Sequence, residues 1–285
     1  MPRASEMIET NIHKVLLIGS PKGAGKSTLA MTAPTPILDI QFDPGSPVIP
    51  PGVDGNQIYV KTYPAANEGI NPDSATWAPA KDVGEDICRD ILAIRRAVLA
   101  KEEVKLSSEP EPWPLPKTIV LDGLPTMDAH IISWLLAHYR VNSPDELENT
   151  FAFWGDRLVK NMALLMAIIP LPVNVVLITW SENEMKETTN AKGKKERIAT
   201  GRIQPMLGGQ LLRKVPGEVD AVLYCYSKLV NVAGKGETRF MVRTRANGVV
   251  EDCGVRNGYS LPDEIDVTID PKKPGVMPWN RIWKS

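Results

Sequence analysis

Val15-Leu16-Leu17-Ile18-Gly19-Ser20-Pro21-Lys22-Gly23-Ala24-Gly25-Lys26-Ser27-Thr28-Leu29-Ala30-Met31 runs from an apolar stretch through a glycine-rich turn into a second apolar stretch. The first stretch has the composition of a buried strand, and the second has that of a helix start. Small residues between them let backbone N–H groups wrap a chain of phosphates, and a helix beginning there points its positive dipole end at the same anion. The pattern therefore predicts a phosphate-binding loop made by Ser20, Gly23, Ala24, Gly25, Lys26, Ser27 and Thr28. Lys26 would reach the β- and γ-phosphates of a nucleotide, and Ser27 would hold Mg²⁺. One departure stands out: Ser20 occupies the position where this motif has its first glycine, with Gly19 one step earlier.

Outward from the loop, short runs rich in Val, Ile and Leu alternate with helical patterns, which predicts a mostly parallel sheet flanked by helices. The strands fall at 14–18, 37–40, 58–60, 118–122 and 174–179. Two later runs, 219–230 and 238–245, flank Ala233-Gly234-Lys235-Gly236 and read as an antiparallel hairpin extending that sheet. Ile87, Ile91, Ile94 and Val98 recur at helical spacing within 86–104. Leu158, Met162, Leu165 and Ile169 do so within 156–169, just before Pro170. The prolines gather in connections such as 44–51 and 110–116, which read as insertions in one domain over 1–262. A tail over 263–285 offers Trp279 and Trp283 as anchors, and packing on its own domain is the reading favoured over a partner-binding tail.

Composition narrows the class. The 285 residues suffice for a full core, and 33 basic residues against 34 acidic ones exclude a general polycation, so any nucleic-acid contact must be local. Cys88, Cys225 and Cys253 lie far apart without metal or disulfide spacing, which fits a reducing, cytoplasmic setting. His13, His130 and His138 have no partners at metal-ligand spacing and read as surface or core histidines. The polar beginning Met1-Pro2-Arg3-Ala4-Ser5-Glu6 has no signal-peptide core, and no apolar stretch approaches a membrane span. A soluble protein without membrane contact is the expectation.

A nucleotide site needs an acid to hold the shell of its Mg²⁺, and Thr118-Ile119-Val120-Leu121-Asp122 ends a buried strand in a carboxylate. Asp122 is thus the second expected metal residue, beside Ser27.

The order of motifs from Val15 to about Ser260 resembles phage-encoded RecA-like ATPases, the group that includes single-strand annealing proteins of phage recombination. The resembling pieces are the phosphate loop with Ser27-Thr28-Leu29-Ala30, the Ile37-Leu38-Asp39 and Ile119-Val120-Leu121-Asp122 strands, and Trp154-Gly155-Asp156 opening a helix. Leu171 to Thr179 and Gln204 to Leu211 complete the set. The resemblance implies a RecA-like P-loop NTPase core in which strand 174–179 lies between the phosphate-loop strand and the Asp122 strand. It also implies ATP and Mg²⁺ as cofactors, and homo-oligomers, as rings or filaments, with ATP near subunit boundaries. A single-strand DNA-binding protein is a further implied partner.

In such ATPases a glutamate just beyond the second strand polarises the attacking water. Here Gln41 stands at that position with Asp39 and Asp43 on either side, so hydrolysis is expected to be slow or to depend on Asp43. Thr179, with Ser181 and Glu182 following, stands where a polar residue senses the γ-phosphate, while Trp180 reads as packing. The resemblance also implies single-stranded DNA binding by loops. The segment 186–202 carries Lys186, Lys192, Lys194, Lys195, Arg197 and Arg202 against two glutamates, a local charge of +4. A solvated hairpin with ordinary surface charge explains that segment equally well. Stacking aromatics would come from a loop near 139–153 with Arg140, Phe151 and Phe153, although helix packing explains those rings nearly as well. Arg202, Arg213 and Lys214 are candidates to reach a neighbour's ATP. The leading expectation is an ATPase acting on single-stranded DNA in recombination or annealing. Its alternatives are a nucleotide-gated assembly or regulatory protein with little hydrolysis, and a small-molecule kinase.

Overall fold

The apolar run Val15–Ser20 forms β1, the strand on which the sheet is centred. The structure, a computed structural model, describes residues 14–43, 48–64, 80–106, 109–189, 195–232, 234–250, 253–255, 261–270 and 277–282. After β1 come α1 (Lys26–Ala30), β2 (Ile37–Gln41), β3 (Ile58–Thr62), α2 (Ala80–Ala100), β4 (Thr118–Asp122), α3 (Leu124–Tyr139) and α4 (Thr150–Ile168). The chain continues through β5 (Asn174–Thr189), β6 (Lys195–Pro205), α5 (Leu211–Glu218), β7 (Ala221–Val232), β8 (Lys235–Arg243), β9 (Gly254–Val255), β10 (Glu264–Asp266) and α6 (Trp279–Ile282).

The sheet runs β10-β8-β7-β1-β5-β4-β2-β3, with β6 paired to β5 and β9 to β7. Every pair from β7 to β3 is parallel. The β7–β8 pair is the expected antiparallel hairpin. β5 lies between β1 and β4, so the carboxyl ends of β1, β4 and β2, with β5 near Trp180, open onto one crevice, where open α/β sheets bind ligands.

Alternation along the strands divides the apolar residues between two faces. Leu17, Ile119, Leu121, Val175 and Leu177 meet Ile87, Ile91 and Ile94 of α2, Ile131 and Leu135 of α3, and Leu164, Leu165 and Ile168 of α4. On the other face Leu16, Ile18, Val120, Val176 and Ile178 pack with Leu29, Ala30, Met31, Trp279 and Ile282. Trp279 donates its backbone N–H to Thr32 Oγ1 at 3.2 Å, so this stretch of the tail packs against its own sheet; Trp283 lies outside the described residues.

Three segments differ from the sequence reading. The 124–139 stretch is a helix, begun by Pro125 in its first turn, with Leu124, Met127, Ile131 and Leu135 as its buried stripe. The supposed aromatic loop is mostly the end of α3 and the start of α4: Asn149 Oδ1 accepts the Ala152 N–H at 3.3 Å and moves the helix start to Thr150. Phe153 is fully buried as a result, while Phe151 projects outward. Finally, the strand expected to stop at Thr179 continues to Thr189 and pairs antiparallel with β6, so the described part of the basic segment is a β-hairpin.

Candidate nucleotide site

Ser20 ends β1 fully buried, its Oγ donating to the Pro21 carbonyl at 2.7 Å. The chain then turns outward through Pro21, Lys22 and Gly23 and re-enters at Gly25, the residue before α1. Gly23 and Gly25 have φ of 79° and 86°, the left-handed region that a side chain makes costly. At Gly25 a Cβ would also press on the Phe240 ring, 3.3 Å from Cδ1. These turns bring Lys26 and Ser27 to the crevice.

There Ser27 Oγ donates to Asp122 Oδ2 at 2.7 Å, joining residues 95 positions apart. Lys26 is buried, with Nζ 3.4 Å from the Pro21 carbonyl. Burial lowers the Lys26 pKa, and the nearby Asp122 carboxylate opposes that shift. Asp122 is raised above the ordinary carboxylate value, again through burial, against the Ser27 hydrogen bond and the Lys26 charge. Phosphate oxygens beside Lys26 and a cation beside Asp122 would each replace lost solvation.

These residues line a cavity of about 660 Å³ with Ser20, Pro21, Lys22, Gly23, Met31, Asp39, Gln41, Asp43, Val48, Trp180, Ser181 and Met206. The expected phosphate-loop residues divide accordingly. Ser20, Gly23, Lys26 and Ser27 line the cavity, Ala24 packs into the core, Gly25 backs onto Phe240, and Thr28 lies outside the lining. The hydroxyl and carboxylate of Ser27 and Asp122 are hard oxygen donors suited to Mg²⁺, which keeps several waters and takes its other ligands from phosphates. Among the described residues no group of three or more His, Cys, Asp and Glu could form an all-protein metal cage.

β2 supplies the acidic wall. Gln41 pairs in register with Asp122, and Gln41 Nε2 donates to Asp39 Oδ2 at 2.7 Å. Asp39 Oδ1 and Gln41 Oε1 are buried without hydrogen-bond partners. Burial raises the Asp39 pKa to about 7; the Gln41 hydrogen bond lowers it and Asp122 raises it further. Asp43 accepts from Thr126 Oγ1 at the start of α3 and sits over Gly123, where a Cβ would lie 2.7 Å from Asp43 Oδ2. The sequence flagged Gln41 and Asp43. It did not show that Asp39 belongs to the cavity, although residues two apart on a strand share a face.

Thr179 is fully buried; its Oγ1 donates to the Met206 carbonyl at 2.9 Å, and it is outside the cavity lining. The Met206 N–H in turn reaches the Trp180 carbonyl at 2.7 Å. Thr179 thus fastens the segment after β6 to the middle of β5, level with the end of β1, while Trp180 and Ser181 face the cavity. Sequence reasoning missed the part played by Met206, which comes from a chain reversal 27 residues long.

The basic segment is less open to a polyanion than its composition promised. Lys186, Lys195, Arg197 and Arg202 are exposed on β5 and β6, whereas Lys192 and Lys194 lie outside the described residues. Lys195 Nζ pairs with Glu187 at 2.8 Å. The hairpin also includes Glu182 and Glu184, so six basic residues face four acidic ones over 181–205. Elsewhere His130 is a core histidine, its pKa lowered by burial. No described helix is long and apolar enough to cross a membrane.

A family model described as an AAA domain matches residues 12–250. No curated protein matches the chain.

Proposed function

We propose that this chain, which belongs to the AAA domain family of P-loop ATPases, binds ATP·Mg²⁺ in the cavity at the ends of β1, β4 and β2 and hydrolyses it slowly, in the service of phage-type recombination or annealing of single-stranded DNA. The observation that carries the nucleotide part is the Ser27–Asp122 hydrogen bond beside buried Lys26. Lys26 neutralises the terminal phosphates, and Ser27 and Asp122 hold the cation, which when bound supplies charge neutralisation for the leaving phosphate. Gln41 orients water with its carbonyl but is a poor proton acceptor. Asp43 is tied to Thr126, so neither residue is a strong base. Slow turnover follows.

The DNA part is supported by the exposed cations of the β5–β6 hairpin, which fit salt-dependent phosphate contacts. Homo-oligomers and a single-strand DNA-binding protein complete this reading. The glutamine at position 41 favours a second reading, in which ATP drives assembly with hydrolysis at background. Phosphate release measured with and without single-stranded DNA, beside sizing of the oligomer, separates them. DNA-stimulated release supports the first, and nucleotide-dependent assembly without release supports the second. Absence of DNA binding across a salt series, with and without ATP, removes the DNA part.

A further inference from the structure

A second concavity, lined by residues of α4 and of the segment leading into α5, lies apart from the loop residues that line the phosphate site. Its outer part, about 310 Å³, is lined by Phe151, Trp154, Gly155 and Arg157 of α4 and by Gly208, Gly209 and Gln210 leading into α5. Phe151 is 87% exposed and Trp154 43%, an uncommon outlay of aromatic surface for a helix start. The platform is firm. Trp154 meets buried Phe153 edge-on, with centroids 5.1 Å apart, and the Arg157 guanidinium lies 5.2 Å from the Trp154 ring centroid.

Arg157 is itself anchored, donating through Nε to Asp128 Oδ1 at 2.7 Å and through its terminal nitrogen to Asp128 Oδ2. That pairing uses its charge, so Arg157 stiffens the wall instead of binding a phosphate. Gly208 has no alternative: a Cβ there would collide with the Arg157 guanidinium. Gly155 and Gly209 would meet nothing with a Cβ, leaving the floor beside the rings bare.

Arg157, Gly208 and Leu211 also line an adjoining cavity of about 250 Å³, whose other polar residues are Asp128, Asn161 and Glu182 among apolar ones. Asn161 Nδ2 is committed to Asp128 Oδ1 and the Arg157 carbonyl, which leaves its buried Oδ1 without a partner, an acceptor at the deep end. At the other end α5 begins with no acidic residue in its first turn and no side-chain cap. Leu211 and Val215 turn inward and Arg213 and Lys214 outward. Flat aromatic walls and a buried acceptor, with two exposed cations on the helix that leads out of the groove, match one chemical unit: a heteroaromatic base joined to a phosphate.

We propose that this groove between α4 and the start of α5 seats an unstacked base of single-stranded DNA on Phe151 and Trp154, with the adjoining phosphate held by Arg213 and Lys214. The inference rests on the single-stranded DNA reading above and moves its main contact from the β5–β6 hairpin to the groove. Met206 lines both this concavity and the nucleotide cavity, so ATP and DNA would act on one segment.

The test is titration of the full chain with an oligodeoxythymidylate carrying one 2-aminopurine, whose fluorescence falls when it stacks. Wild type is expected to quench it. Phe151→Ala, at a site exposed enough to leave the fold alone, should abolish the quench and weaken binding about tenfold. Arg213→Glu should weaken binding at low salt and flatten its salt dependence. Binding with wild-type affinity and quench in Phe151→Ala overturns the groove while leaving the DNA reading standing. No binding by wild type at low salt overturns both. A change in oligomer size in Phe151→Ala with unaltered DNA binding assigns this face to contact between copies and overturns the groove.

Discussion

The phosphate-loop corner and the β5–β6 hairpin both drew notice through runs of special residues, yet they are built on opposite principles. At the corner, Lys26 is buried and Ser27 and Asp122 are half-buried, and each has a defined partner or neighbouring charge. Along the hairpin, Lys195 is spent on Glu187, and glutamates accompany the cations in all parts of the pair. Buried charge is costly unless it meets a ligand of opposite charge, so the corner implies its ligand. Exposed charge is cheap, so the hairpin implies a partner only weakly.

Substitutions can break that contrast. Lys26→Ala should have the largest effect, a loss of ATP affinity of about a hundredfold or more, given ~2–5 kcal/mol for a buried charge pair, read by calorimetry. Next comes Gly25→Ala, expected to cost about 1–2 kcal/mol from the left-handed backbone alone, with a lowered thermal midpoint and weaker nucleotide binding.

A third prediction concerns pH. The Asp39 pKa is raised from 3.8 to about 7, so the folded state holds a proton that the unfolded state releases. The stabilisation is therefore complete below the unfolded value and is lost as pH rises through about 7. Urea unfolding of the nucleotide-free protein should show stability falling between pH 4 and 7, by an order of a few kcal/mol. Asp39→Asn should flatten that profile; an unchanged slope would mean that Asp39 does not carry it. The smallest effect belongs to the hairpin: Lys195→Ala should change stability by about 0.2–1 kcal/mol, and a larger loss would show that the hairpin is a buried element.

Local chemistry explains what could be read ahead of the structure. The strand, turn and helix around Gly25, and the carboxylate ending β4, are written in contiguous residues, and their partnership follows once both sit at strand ends. The position of β5 between β1 and β4 came from resemblance and was found as expected. The sequence reading assigned no element to 124–139, although Leu124, Met127, Ile131 and Leu135 carry the period of the α3 helix found there. Thr179 looked like a cavity residue because it ends an apolar run. Its hydroxyl turned to Met206, a long-range partner that no local pattern encodes. The anchoring of Arg157 by Asp128 across two helices was hidden for the same reason.

The central claim is that Ser27 and Asp122 form the cation side of an ATP site. Calorimetric titration of ATP with Mg²⁺ and with chelator, into wild type and Asp122→Asn, tests it most directly. The expected result is that Mg²⁺ tightens ATP binding to wild type and gives no such gain in Asp122→Asn. Equal ATP affinity with and without Mg²⁺ in wild type, or an undiminished Mg²⁺ effect in Asp122→Asn, would contradict it.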